Sequence, residues 1–414
     1  MSPRWVSGFG LLVFILIAWV LSEERRRFPW RAVLWGLVLQ FGFALLILKT
    51  APGRWVFFGF QNAVTRFIGF ANEGNAMMFG PLANQSLLAE KLGPANGLIL
   101  VITVTGTIIL VATVSSVLYH WGILQRVVRA LAWVMQRAMG TSGGETLSAA
   151  ANIFMGQTEA PLLIKPYLPG MTRSELLAVM IGGMATIAGG VLAAYVGFGI
   201  EAGHLLTASV LSAPAGLLIS KILVPESARS QTAAGAPVDV PRETVNMIDA
   251  LVRGASDGMT LSINVAAMII AMVSVVACVN WMLSSAGGWC GISDPHPLQT
   301  LLGWANAPFA WLMGVQFKDC RAVGAMLGER IVLNEFVAYL SLVRTQSSLE
   351  PRSVVIATYA LCGFANIGSI AIQIGGIGAL APTRRADLAR FGLRALIGGL
   401  LACYLTAAVV GLLL

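Results

Sequence analysis

Along the 414 residues, charged side chains gather in short clusters and leave long runs that carry none. These runs occupy residues 5–22, 32–48, 92–125, 176–200, 202–220, 258–293, 353–383 and 395–414. An ionised side chain at the centre of a bilayer costs roughly 2.5 to 3.5 kcal/mol, so membranes enforce such gaps. Each run approaches or exceeds the roughly 20-residue helix that a hydrocarbon core of about 30 Å demands. The pattern predicts an all-α polytopic membrane protein with eight transmembrane helices.

Between the runs lie stretches too polar to cross alone and too apolar to be ordinary loops. Residues 55–78, with Phe57, Phe58, Phe60, Phe67 and Phe70 interrupted by Arg66 and Glu73, predict an interfacial helix. Residues 121–139 continue the third span towards a second one and end in Gly140, Gly143 and Gly144. Residues 227–257, with Gly235, Pro237 and Pro241 among alternating charges, predict a flexible cytoplasmic linker.

Two further stretches share one order of parts. In 146–168 an apolar run is broken by Gly156, Gln157, Thr158 and Glu159, and a basic turn at Arg173 leads into the span 176–200. In 320–342 the break is Asn334 and Glu335, and Arg352 leads into 353–383. Each following span is itself interrupted, by Gly182, Gly183, Thr186, Gly189 and Gly190 in one case and by Gly363, Asn366, Gly368 and Ser369 in the other. This predicts two re-entrant helical hairpins entering from opposite faces, within inverted repeats closed by 202–220 and 395–414, an arrangement of transporters. Backbone that leaves the helix at membrane depth must line a cavity buried in protein, so the four breaks should meet in one place.

Composition narrows the classes. Charged residues are 11% and apolar residues 57% of the chain, and mean hydropathy is +0.79. A soluble enzyme, a disordered scaffold and a coiled coil are excluded. The net charge of +8 is dispersed over loops rather than gathered on one face, which argues against nucleic acid. With the N-terminus outside, 17 of the 27 Lys and Arg residues fall on inner loops, led by Arg25, Arg26 and Arg27 after the first span. Both termini are then periplasmic, and the first span is retained rather than cleaved. Cys278, Cys290, Cys320, Cys362 and Cys403 form no CxxC pair, which suggests apolar packing rather than disulfides or zinc. His120 and His296 stand near span ends and suit interfacial snorkelling.

Polar residues at the breaks suggest the chemistry. Glu159 and Glu335 each stand in an otherwise apolar hairpin and point to one cavity that binds hydrogen-bond donors; alternatively Lys165 and Arg330 neutralise them structurally. Gln157, Thr158, Asn366 and Ser369 add amides and hydroxyls, and Val191 and Phe364 supply apolar walls. Without an Arg or Lys pair, this set favours a neutral polar solute. Asn152, freed backbone carbonyls and the Thr186 hydroxyl would make an all-oxygen shell for a hard monovalent cation, or Asn152 is a satisfied structural amide.

The strings GQTEAPL at 156–162, NEFVAYLSL at 334–342 and CGFANIGSIAIQIGGIGALAP at 362–382 closely resemble the concentrative nucleoside transporters of the bacterial, sodium-coupled type. The resemblance implies that Gln157, Thr158 and Glu159 bond the nucleobase, with Val191 and Phe364 packed against it. It implies that Glu335, Asn366 and Ser369 hold the ribose, and that sodium is ligated by Asn152, the Met155 carbonyl, Thr186 and the Ile187 carbonyl. Thr186 stands where the bacterial pattern has Ser and keeps the oxygen ligand. A homotrimer in the bacterial inner membrane, working as an elevator on a nucleoside such as uridine, is also implied.

The organisation expected is an N-terminal part at 1–91, scaffold spans at 92–125 and 258–293, transport units at 126–224 and 294–414, and the linker at 225–257. The alternatives are proton-coupled nucleoside symport, a passive channel for neutral polar solutes, and an enzyme using Glu159 and Glu335 as an acid/base pair. A polar pocket without a ring of like charges suits a channel poorly, and no His, Cys or Asp cluster joins the two carboxylates.

Overall fold

The computed structural model describes residues 3–93, 99–233, 244–289, 294 and 296–414, and among them every regular element is helical. Two apolar helices, α1 (Pro3–Val20) and α2 (Trp30–Lys49), open the chain. A sharp corner follows, where the Thr50 hydroxyl accepts the Gly53 N–H at 3.1 Å and caps the 29-residue α3 (Ala51–Phe79). A side chain at Gly53 would collide with the Leu46 carbonyl at 1.6 Å, so only glycine permits this turn. Helix α3 buries Phe57, Val64, Ala71 and Asn75 along one stripe and leaves Trp55, Phe58 and Phe70 exposed, the one-sided pattern expected of an interfacial helix. The short α4 (Gln85–Leu92) follows, capped by Asn84.

The remaining chain repeats one order of parts twice. The first unit runs α5 (Leu100–His120), α6 (Ile123–Met139), α7 (Gly143–Ala151), an irregular return, α8 (Arg173–Ala185), α9 (Gly189–Gly197) and α10 (Ala202–Leu223). The second runs α11 (Met247–Trp289), α12 (Pro297–Leu312), α13 (Cys320–Val332), α14 (Glu335–Thr345), α15 (Pro351–Leu361), α16 (Ile367–Leu380) and α17 (Arg385–Leu413). Helices α5 and α11 pack along each other, while α8, α10 and α17 form the most buried part of the molecule. The outer faces of α1, α2 and α11 carry exposed Trp5, Leu12, Leu34, Val38, Ile263 and Ile270, the surface a lipid-solvated bundle presents.

Several expectations change in detail. Seven helices among the described residues are long and apolar enough to cross a membrane; the span 353–383, interrupted at 362–366, is divided into the two shorter helices α15 and α16 and is not one of them. Residues 121–139 do not continue the third span. Gly122, at φ 74°, breaks the helix, and α6 buries Gln125, Val128, Ala132, Met135 and Met139 at spacings of three and four, so it is a separate amphipathic helix. The return arm of the first hairpin is not an α-helix but turns and short 3-10 segments at Ala160–Ile164 and Leu168–Gly170, because Pro161, Pro166 and Pro169 each remove a backbone donor. Helix α11 begins at Met247, eleven residues before the expected span, and at 43 residues reaches about 65 Å, more than a bilayer core requires.

The linker is anchored at its start. Thr232 accepts the Gly143 N–H through its carbonyl at 2.9 Å and the Gly144 N–H through its hydroxyl at 3.1 Å, closing the N-terminus of α7. Ser230 donates to Glu175 of α8. Gly235, Pro237 and Pro241 lie outside the described residues, as does Cys290. Beneath this clasp Lys221 of α10 pairs with Glu145 of α7 at 2.7 Å, both almost wholly buried, and donates to Ser174 at 3.0 Å. Removing one partner strands the other charge in a low-dielectric interior. Glu145→Gln should therefore destabilise the protein by about 3 kcal/mol, read as a lower Tm in detergent, and an unchanged Tm would show that Lys221 is held by Glu226 and Ser174 alone.

Candidate functional site

The four helix interruptions do meet, through a closed set of hydrogen bonds. The Gly189 N–H donates to the Phe154 carbonyl at 3.1 Å and joins the first hairpin to the break between α8 and α9. The Phe364 N–H donates to the Thr186 carbonyl at 3.3 Å and joins that break to the one between α15 and α16. Asn366 donates through Nδ2 to Glu335 Oε2 at 2.9 Å, which brings in the second hairpin. Gln157 Nε2 donates to Ser369 Oγ at 3.2 Å and returns to the first hairpin. The crossing is close: a side chain at Gly363 would lie 2.8 Å from the Met184 carbonyl oxygen.

The ring side chains of the second unit are held by helix starts. Asn334 adopts an extended backbone and its Oδ1 accepts the Val337 N–H at 3.0 Å, which caps α14 and places Glu335 in the first turn. Asn366 does the same for α16, its Oδ1 accepting the Ser369 N–H at 2.8 Å. The partial positive charge of a helix N-terminus favours a carboxylate in the position of Glu335. Beside that carboxylate lies the buried Tyr195 hydroxyl, its ring 4.4 Å from Tyr339 and 5.0 Å from Phe336.

Arg330 forms no ion pair with Glu335 among the described residues. Its guanidinium donates to the Ala360 carbonyl and stands 5.5 Å above the Tyr404 ring. Thr158 rests on α16, where a side chain at Gly376 would meet its methyl at 2.6 Å. Val191 and Phe364 are both buried in the apolar core around the breaks.

Glu159 stands at the first break, three residues after Gly156. Its Oε2 accepts the Gly156 N–H at 3.3 Å, and the carboxylate faces a cavity of about 350 Å³ lined also by Tyr119 and His120 of α5 and Arg253 and Asp257 of α11. Glu335 is not among the residues lining that cavity. Gln157 reaches the second unit through Ser369 and Gln373.

The cation shell can be tested against donor chemistry. Asn152 donates through Nδ2 to the Ser148 carbonyl at 2.9 Å, and its buried Oδ1 has no hydrogen-bond partner. Thr186 donates its hydroxyl proton to the Gly182 carbonyl at 2.9 Å, leaving only lone pairs. Both side chains stand beside Gly182 and are 1% exposed, so each holds an oxygen acceptor in an interior where an unpaired acceptor is costly. That donor set fits a monovalent cation. Met155 and Ile187 lie next to these residues in the same two breaks.

Sequence reasoning missed Gln373, which is wholly buried and donates through Nε2 to Gln157 Oε1 at 3.1 Å and to the Met180 carbonyl at 2.9 Å. Its signal was an amide four residues after Ser369 in an apolar helix, hence on the same face. Tyr195 carried no comparable signal among apolar neighbours.

Family models for the Na+ dependent nucleoside transporter N-terminus, for nucleoside recognition and for the Na+ dependent nucleoside transporter C-terminus match residues 9–82, 101–202 and 204–411. An uncharacterized transporter of Haemophilus influenzae is 41% identical over 98% of this chain and 97% of its own length. Sodium/nucleoside cotransporter 2 of Rattus norvegicus is 39% identical over 99% of this chain, which spans 62% of that longer protein. The structure of CNTnw in an inward-facing substrate-bound state superposes with a TM-score of 0.93 at 38% identity, covering 99% of this chain and 98% of the other.

If the Asn152 and Thr186 oxygens are cation ligands, sodium should raise the Tm of the purified protein more than potassium does. Asn152→Leu should abolish that difference, and a sodium-specific shift that survives in this variant would remove Asn152 from the shell.

Proposed function

This chain belongs to the Na+ dependent nucleoside transporter family, and we propose that it imports nucleosides by sodium symport through an elevator-type alternating-access movement. Membership makes it a multi-pass membrane transporter rather than an enzyme. The observation that carries the detailed reading is that Gln157 with Ser369 and Asn366 with Glu335 join both hairpins to the second broken span, which the Phe364 N–H ties to the first at the Thr186 carbonyl.

In this reading Gln157, Thr158 and Glu159 hold the nucleobase, with Val191 and Phe364 as its apolar walls, and Glu335, Asn366 and Ser369 hold the ribose. Glu335 already accepts from Asn366, and a carboxylate has lone pairs left for two ribose hydroxyls. Sodium binds Asn152, Thr186 and the carbonyls of Met155 and Ile187. Asn152 and Met155 lie in the same loop as Gln157, so an ion that orders this loop also orders the base contact, which is the coupling. Asn152 and Thr186 hold no titratable proton, which favours sodium over proton coupling.

The units 126–224 and 294–414 would move against a scaffold of residues 92–125 and 258–293, the latter built around the packed pair α5 and α11. The cavity at Glu159, bounded by hairpin on one side and α5 and α11 on the other, lies where those bodies would slide. The assembly is a homotrimer in a bacterial inner membrane with both termini periplasmic.

Uptake of labelled uridine into proteoliposomes should collapse when sodium is exchanged for choline, whereas equal uptake driven by a proton gradient would refute sodium coupling. Charged hydrogen bonds contribute about 1.5 to 3 kcal/mol. Glu335→Gln should accordingly raise the uridine KM by roughly 10- to 100-fold, and 2′-deoxyuridine should bind the unaltered protein more weakly than uridine. A normal uridine KM in that variant would take the ribose away from Glu335.

A further inference from the structure

The side-chain amides in the ring have directions, and backbone groups set them. A carbonyl oxygen only accepts and a backbone N–H only donates. Because the Met180 carbonyl receives a bond from Gln373 at 2.9 Å, the Gln373 amide must turn its NH2 group that way. The second proton of that NH2 goes to Gln157 at 3.1 Å, so Gln157 presents its oxygen to Gln373 and its NH2 to the opposite side. One N–H of Gln157 then reaches Ser369 Oγ at 3.2 Å, and the other remains available. Turning the Gln373 amide over would set two oxygens against each other at Met180, which is why its own Oε1 stays buried without a partner.

Space reinforces the direction. Gly183 lies under both amides: a side chain there would stand 2.8 Å from Gln373 Nε2 and 2.9 Å from Gln157 Cβ. Gln373 is 0% exposed and Gln157 is 7% exposed, so water does not compete for these bonds.

We propose that Gln373 is a specificity-setting positioning residue, which locks the Gln157 amide so that it offers an N–H to the nucleobase and selects bases that present a carbonyl there over bases that present an amino group. The proposal rests on the reading above that Gln157 contacts the base. Gln373 itself touches no ligand; it acts through Gln157. An amino group facing a fixed N–H leaves two donors opposed and unpaired, a loss that falls on one member of a matched pair of substrates and not on the other.

The test is transport kinetics in proteoliposomes with two such pairs, uridine against cytidine and inosine against adenosine. In the unaltered protein the oxo member of at least one pair should have a KM about tenfold lower. Gln373→Met, close in length and without a donor, should bring that ratio to within about twofold of one, because the Gln157 amide can then turn over. An equal rise in KM for both members with the ratio preserved would mean that Gln373 only supports the fold, and would overturn the proposal, as would a ratio near one in both pairs before mutation.

Gly183→Ala, which crowds the same two amides, should collapse the ratio as well and serves if Gln373→Met fails to fold; a retained ratio there overturns the proposal. Gln157→Ala separates the two levels. Unchanged KM values for all four nucleosides in that variant would remove the base contact itself, whereas raised values beside an intact ratio in Gln373→Met would remove only the role of Gln373.

Discussion

Backbone that leaves the helix inside a bilayer has no water to turn to, so every broken segment must find its partners in another. In this protein that constraint is met where Phe364 donates to the Thr186 carbonyl and Gly363 passes against Met184. Two interrupted spans, one from each repeat, can cross only because glycine stands at the contact. Everything placed at the site hangs from this crossing. The first hairpin is tied to it through Phe154 and Gly189, and the second through Glu335 and Asn366.

The same backbone groups orient the polar side chains. The Ser148 carbonyl takes one proton of the Asn152 amide and the Gly182 carbonyl takes the hydroxyl proton of Thr186, which leaves Asn152 Oδ1 and the Thr186 lone pairs as acceptors. The Ser369 N–H takes the oxygen of Asn366 and thereby turns its NH2 towards Glu335. The Met180 carbonyl does the equivalent for Gln373 and Gln157. Acceptors that suit a cation and donors that suit a polar solute thus sit a few residues apart. The one wholly buried guanidinium at the second hairpin, Arg330, is spent on the Ala360 carbonyl and the face of Tyr404.

Much of this was readable along the chain, and the reasons differ by element. The spans announce themselves because lipid tolerates so few charges, and the paired breaks because Gly, Asn and Glu have no business in apolar helices unless they line something. The ring residues Gln157, Glu335, Asn366 and Ser369 were readable on the same ground. Gln373 was readable only in part, since one amide in an apolar run does not say which neighbour it meets. The clasp formed by Ser230 and Thr232 gave no sign, because serine and threonine in a charged, proline-rich stretch look like any linker. Glu145 and Lys221 hid in the same way: each is an ordinary charge near a span end, and only folding brings them within 2.7 Å.

Local chemistry therefore settled the class: an α-helical membrane protein with two interrupted repeats, identifiable by short strings as a relative of nucleoside transporters. Local chemistry could do so because lipid and helix breaks act on residues close in sequence. Which polar side chains at the breaks would meet, and which way each amide would face, depended on partners more than 200 positions apart, such as Gln157 with Ser369 and Gln373. Hydrogen bonds of that kind have a direction only once both ends are in place. The tertiary fold decided them.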